Sequence, residues 1–559
     1  MSTDWHELLS QPKYKVKGEK DIYIVMRDGT RLAADIYYPD AEGRFPALLS
    51  YSCYGKDVQK LPVPQFPVDA KMGNGGIEAG DTDYFVSRGY VHVIADTRGT
   101  GLSEGGYRFF SKKEQEDGYD LVEWIAKQPW CNGNVGMLGM SYFAMIQYLV
   151  AAQNPPHLKA IFAYSAATDI YRQWAYHGGI LDYGMSFQWW THVPAHTIEP
   201  LDVPEAELKK MVEDAKNNMD VMSRPILYIY LSLPEKNVNL YDFVIYPNDG
   251  PYYWERSAYT KFDKIKVPVY LVSHWNSWGI HLPGSFSAYL GIDAPKKLMS
   301  GMPESGKSVE RPWCEDRDII LRWYDHWLKG IDTGIMDEPP IKILIQGTNE
   351  WRYESEWPLA RTKWTKYYLR ENEMLAETAS ASNETPDSFT NIPGLKPGLK
   401  APSVKYTTAT FTQDMEITGP VTLYFHASLS TEDANWMAEI FDIDKDGVRR
   451  LVTMGWLKAS HRELDESKSK TYRPFHPHTR SIPIKPGMVC EYAMELRETS
   501  NIYLAGHKMQ LVIKGQDAPW EGSEGFRQVF CHLDNMRETQ HTVHHTPEHQ
   551  SYLLLPIIP

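Results

Sequence analysis

Cysteine is scarce in this chain of 559 residues. The five present (Cys53, Cys131, Cys314, Cys490 and Cys531) are odd in number and include no C-x-x-C pair. Neither a disulfide framework nor a cysteine zinc site follows from that spacing. Long apolar runs are also missing, since no stretch approaches the roughly 18 apolar residues that a membrane-crossing helix needs. Met1-Ser2-Thr3-Asp4-Trp5-His6 lacks a basic segment and an apolar one, so no secretory leader is read there. The simplest expectation is a cytoplasmic, reducing location. Basic residues are outnumbered, 58 Lys and Arg against 72 Asp and Glu, for a net charge of −14. That balance argues against a nucleic-acid-binding surface.

Aromatics are abundant, with 18 Trp and 35 Tyr. Such rings fill large cores and line apolar clefts. The length calls for two or three domains. Two strand patterns, 22–26 and 32–38, flank Asp28-Gly29 as a hairpin. Apolar runs follow at 47–51, 91–95 and 159–163, alternating with helical patterns at 117–126 and from Ser141 to about 152. Strands alternating with helices indicate a doubly wound parallel sheet. Between 168 and 260 the text turns aromatic and Met-rich, with helical patterns at 170–176, 183–191 and 205–222, and reads as a helical cap. Strand patterns resume at 267–272 and 297–300, and an amphipathic helix at 318–329 closes the unit. From 341 onward short alternating strands dominate, the pattern of a β-sandwich or jelly roll. The expected units are therefore an α/β core at 1–167 and 261–340, a cap at 168–260 and a jelly roll at 341–559.

The most informative passage is Leu138-Gly139-Met140-Ser141-Tyr142-Phe143. An apolar strand ends in a sharp turn carrying serine and runs directly into a helix, which holds a hydroxyl clear of its neighbours for attack on a carbonyl. Phe143 stands where the usual G-x-S-x-G pattern has its second glycine.

Several further passages appear in the order found in one family. They are Arg27-Asp28-Gly29-Thr30-Arg31-Leu32, Asp96-Thr97-Arg98-Gly99-Thr100-Gly101, Gln128-Pro129-Trp130, Arg322-Trp323-Tyr324-Asp325-His326-Trp327 and Gly455-Trp456-Leu457. With the serine turn, they make the chain resemble the cocaine esterase and X-Pro dipeptidyl-peptidase family of serine hydrolases. That resemblance implies an α/β-hydrolase fold with a helical cap and a C-terminal jelly roll. It further implies Ser141 as nucleophile, the Tyr54 hydroxyl and the Tyr142 backbone N–H as oxyanion donors, and Trp174 in the acyl pocket. Trp278 is a second candidate for the cleft wall.

Two triad positions depart from the family pattern. Ser277 stands at the aspartate's place, and no histidine occurs on the loop after the strand at 297–300. One reading exchanges the loops, with His281 as base and Glu304 as acid; Asp169 is another available carboxylate, or else begins the cap. His281 is equally readable as a helix-start residue bonded to backbone. A second reading is a non-hydrolytic enzyme performing cyclisation, acyl transfer or elimination, and a third is an inactive binding protein. The leading expectation is hydrolysis of an ester or amide of a small to medium apolar substrate through an acyl-enzyme. No cofactor and no metal are implied. A small-molecule substrate is the expected partner, with no nucleic acid or membrane, and a homo-oligomer remains open. The acidic run around Asp442 to Gly447 reads as a hairpin rather than a calcium loop. His541, His544, His545 and His549 read as a solvated segment.

Overall fold

The computed structural model describes residues 4–60, 78–193, 203–222, 234–301, 316–394, 399–517 and 531–559. Strands β1 (Val16–Val25) and β2 (Arg31–Pro39) form the expected hairpin, with Gly29 at φ +87° in the turn. They are followed by β3 (Phe45–Ser52), β4 (Val91–Asp96), β5 (Cys131–Met137) and β6 (Leu158–Tyr164). A short cap hairpin, β7 (Tyr176–His177) and β8 (Ile180–Leu181), precedes β9 (Val269–His274), β10 (Lys296–Gly301), β11 (Ile341–Ile345) and β12 (Glu350–Glu354). The large sheet runs β1-β2-β4-β3-β5-β6-β9-β10-β11-β12. It is parallel from β4 to β11 and antiparallel at both ends. This is the α/β-hydrolase arrangement.

Side-chain alternation along the strands divides the core in two. Leu49, Ile161 and Leu271 join one apolar cluster with residues of the helices Lys112–Ala126, Tyr142–Ala151 and Leu282–Gly291. Their sequence neighbours Leu48, Phe162 and Tyr270 join another with the helix Arg317–Lys329. Both faces being covered, β4 and β9 are buried along their whole length, which is why they read as unbroken apolar runs.

Three features differ from the sequence reading. Strands β11 and β12, taken above as the start of the jelly roll at 341, instead extend the hydrolase sheet beside β10. The helix read at 170–176 is a single wide turn, Tyr171–Ala175, that passes into the β7–β8 hairpin. Gly178 and Gly179 supply two successive positive φ angles, +57° and +87°, the requirement of a two-residue hairpin turn. The histidine-rich C-terminal segment is only partly solvated. His541 and His545 are buried, His541 against the carbonyls of Thr539 and Asn435, His545 between Glu384 and Asp387.

The second domain is all β. Met415–Leu429, Cys490–Tyr503, Arg449–Lys458, Asn435–Ile443, Lys508–Lys514, Ser403–Thr407, Met374–Ala376, Lys363–Arg370 and Tyr552–Ile558 follow one another across the sheet, and the last pairs back with the first. Closure leaves this ring without a free edge. The acidic run lies at the hairpin between Asn435–Ile443 and Arg449–Lys458, where Asp444 Oδ1 accepts from the amides of Asp446 and Val448. Among the described residues, no helix is long and apolar enough to cross a membrane.

Candidate active site

Ser141 lies between β5 and the helix Tyr142–Ala151 with φ 56° and ψ −116°, a conformation that L-residues rarely adopt. Gly139 permits the turn, because a Cβ there would come within 2.3 Å of Phe143 Cβ. Phe143 thus occupies the second-glycine position by resting on the first glycine. Ser141 stays partly exposed while every residue of the following helix is buried. Strained backbone of this kind costs about 1–3 kcal/mol. Ser141→Gly is therefore expected to raise stability by about 1 kcal/mol in thermal unfolding while removing the hydroxyl.

The imidazole that meets Ser141 comes from the segment after β9. His281 Nε2 stands 3.4 Å from Ser141 Oγ, and His281 Nδ1 stands 3.2 Å from Ser277 Oγ. A compact turn sets both, with the Ser277 amide donating to the His274 carbonyl and the Leu282 amide to the Ser277 carbonyl. His281 then caps the helix Leu282–Gly291. Gly284 lets that helix press onto the loop after β6, since a Cβ there would lie 2.1 Å from the Ala166 carbonyl oxygen. His281 is thus both a helix-start residue and the neighbour of Ser141. Burial pushes its pKa down to about 3, with His274 adding to the effect, so the ring is neutral and one of its two nitrogens can accept a proton. Ser277 is 1% exposed.

Of the two carboxylates weighed from the sequence, only Asp169 falls among the described residues, and it is engaged elsewhere. Glu304 lies outside the described residues. Asp169 is held by Arg172 at 2.9 Å, which also binds Asp249 at 2.8 Å; it begins the cap.

Tyr54 faces the serine from the loop after β3. Its hydroxyl accepts from Trp189 Nε1 at 2.7 Å and sits beside the Ser141 hydroxyl. Burial, with Glu78 and Cys53 adding, holds the phenol well above its usual pKa, so it remains a donor. Tyr142 presents its backbone N–H at the first turn of its helix, where amides lack partners within the helix. Its side chain is pinned by Glu114 Oε1 at 2.6 Å and by the Tyr107 hydroxyl at 3.1 Å. Burial raises Glu114 to about 8.

Trp174 packs edge-on against Phe109 and Trp189, with ring centroids 5.1 and 4.9 Å away. Trp278 is buried on the segment between Ser277 and His281, and its carbonyl accepts from Arg497 Nε at 3.0 Å. The indole N–H groups of Trp174 and Trp278 are buried without a hydrogen-bond partner among the described residues.

Comparison with known proteins agrees with the fold. Residues 28–304 match the model of the X-Pro dipeptidyl-peptidase (S15 family), and 333–554 match the X-Pro dipeptidyl-peptidase C-terminal non-catalytic domain. The chain belongs to the S15 family. Similar members include a cocaine esterase from Rhodococcus sp. (strain MB1 Bresler), 26% identical across 96% of this chain and 98% of that protein. A CocE/NonD family hydrolase from Staphylococcus aureus superimposes with a TM-score of 0.81 at 25% identity, covering 97% of this chain and 93% of that one. An α-amino acid ester hydrolase shares the fold at TM-score 0.77 and 17% identity, over 98% and 97% of the two chains.

This S15 member is a serine hydrolase. Of the residues singled out from the sequence, Ser141, Tyr54 and His281 come together in the fold, whereas the contacts of Trp189 and Glu114 were not assigned. The indole donor to Tyr54 could not be found from the chain's text, because Trp189 is one of several aromatics in the cap. Ser277 was visible only as a carboxylate's replacement.

Proposed function

We propose that the chain cleaves an ester or amide of a small to medium apolar substrate through an acyl-enzyme on Ser141, with His281 as base and Ser277 as its neutral partner. Ser141 Oγ attacks the carbonyl carbon while its proton passes to His281 Nε2. The carbonyl oxygen becomes an oxyanion accepting from the Tyr54 hydroxyl and the Tyr142 amide. As the intermediate collapses, the leaving alcohol or amine takes the proton from Nε2. Water then attacks the acyl carbon, loses its proton to Nε2, and the acid departs as Ser141 recovers its hydrogen. Throughout, His281 Nδ1–H donates to Ser277 Oγ, which orients the ring without neutralising its positive charge.

The observation that carries this reading is the line from Ser141 Oγ through the His281 ring to Ser277 Oγ, at 3.4 and 3.2 Å. The aromatic wall of Phe109, Trp174 and Trp189 supports an apolar acyl group. Incubation with a fluorophosphonate probe tests it: the wild type is expected to label at Ser141 and Ser141→Ala to remain unlabelled. Complete inertness of the folded wild type would refute the acyl-enzyme. Tyr54→Phe removes one oxyanion donor and is expected to lower kcat by about 10²–10³-fold with little change in KM, measured on an activated ester.

One observation favours a second reading, in which the acyl group passes to a nucleophile other than water. A hydroxyl behind His281 makes the base weak, which favours acceptors more nucleophilic than water. Acyl transfer to an added amine outpacing hydrolysis of the same ester would support it.

A further inference from the structure

Away from Ser141, where the cap meets the second domain, His177 of β7, Asp182 just after β8 and His532 converge. His177 Nδ1 and His532 Nε2 lie 2.8 Å apart, and Asp182 Oδ2 lies 3.8 Å from His177 Nδ1. The three donor atoms all fall within 4.8 Å of one another, and all three residues are buried. We propose that His177, Asp182 and His532 form a binding site for Zn²⁺ that clamps the cap hairpin to the second domain.

Three features carry this. Asp182 is fully buried, and its Oδ1 accepts from the amides of Gly184 and Cys531, yet Oδ2 has no hydrogen-bond partner among the described residues. A buried carboxylate oxygen left without a donor calls for a cation or a hydrogen-bond donor. Next, His532 Nδ1 lies 2.9 Å from Asp517 Oδ2, which also accepts the His532 amide at 2.7 Å. Donation to Asp517 leaves the Nε2 lone pair facing His177 and Asp182, the carboxylate–histidine arrangement that orients imidazole ligands for a metal. The third feature is the spacing. Tetrahedral Zn²⁺ with bonds of about 2.0–2.1 Å holds its donors about 3.3 Å apart, and the observed 2.8 and 3.8 Å lie on either side of that value. Two imidazoles and one carboxylate form a donor set that Zn²⁺ accepts. The site is held shut by Trp456, whose ring stacks on His177 at 4.7 Å and lies 5.2 Å from His532. Gly178 permits this closeness, because a Cβ there would come within 2.0 Å of the Trp456 carbonyl oxygen.

The inference does not depend on the hydrolytic mechanism. The full chain, stripped with EDTA and desalted, is titrated with ZnCl₂ against a chromophoric chelator. One equivalent is expected to bind with a submicromolar Kd, and Asp182→Asn, which keeps the Oδ1 contacts, is expected to weaken it at least tenfold. His532→Gln provides the second variant, with circular dichroism confirming that each is folded. Zn K-edge absorption on the wild type at one equivalent is expected to show two imidazoles and oxygen donors, and it decides the matter should either variant fail to fold. No stoichiometric uptake, unchanged affinity in both folded variants, or a first shell without two imidazoles would overturn the site.

Discussion

Ser277→Asp is expected to raise kcat on an activated ester by about 10²-fold or more. Ser277 Oγ lies 3.2 Å from His281 Nδ1 in a position 1% exposed, so a carboxylate there would act across a short, poorly screened gap. In a serine triad the aspartate steadies the imidazolium formed when the base takes the serine's proton, and replacing it by its amide lowers kcat by about 10⁴. A hydroxyl can orient the ring but contributes no charge, so much of that factor is open to recovery. The same substitution is expected to raise the His281 pKa from its present value of about 3, because a facing anion favours the cationic ring. Turnover against pH in wild type and variant checks both effects. Unchanged turnover and an unmoved acid limb in a folded variant would remove Ser277 from the mechanism.

His281→Ala is expected to lower kcat/KM by at least about 10³-fold, since losing the base leaves only the oxyanion donors and binding. Fluorophosphonate labelling is expected to fall with it; undiminished labelling in the folded variant would exclude His281 as base. The wild type's pH profile is a signature of the same group. Burial depresses the His281 pKa to about 3, so the proton-accepting form persists as pH falls and is lost only on approaching that value. An unperturbed histidine would lose half its base form near pH 6.5. Wild-type kcat/KM is accordingly expected to stay level from pH 7 down to pH 5, with its acid limb lower still.

Much of the architecture was legible without coordinates. The apolar runs that became β3, β4, β6, β9 and β10 were readable because a strand covered on both faces has little choice of composition. The serine turn was readable because Gly139 and Ser141 lie within three positions and answer one local steric demand. The β7–β8 hairpin was missed although its signal was present, in the adjacent glycines Gly178 and Gly179 between Tyr176-His177 and Ile180-Leu181. Aromatic and Met-rich text on either side gave a helical period that outweighed them. The sheet that 341–354 joins was hidden for another reason. The strand pattern was right, but which sheet a strand joins depends on its neighbour, here β10.

The site divides along the same line. The chain's own text singled out Ser141 as a candidate nucleophile by its turn, and the family resemblance pointed to Tyr54, Tyr142 and the serine at position 277. Tertiary structure alone decided that an imidazole 140 positions away reaches Ser141, that a serine stands behind it, and that Trp189 holds Tyr54. The physical reason is range. Turn geometry and side-chain alternation act over a few residues, whereas these contacts exist only once helix Leu282–Gly291 settles against the loop after β6 and the cap closes over the sheet.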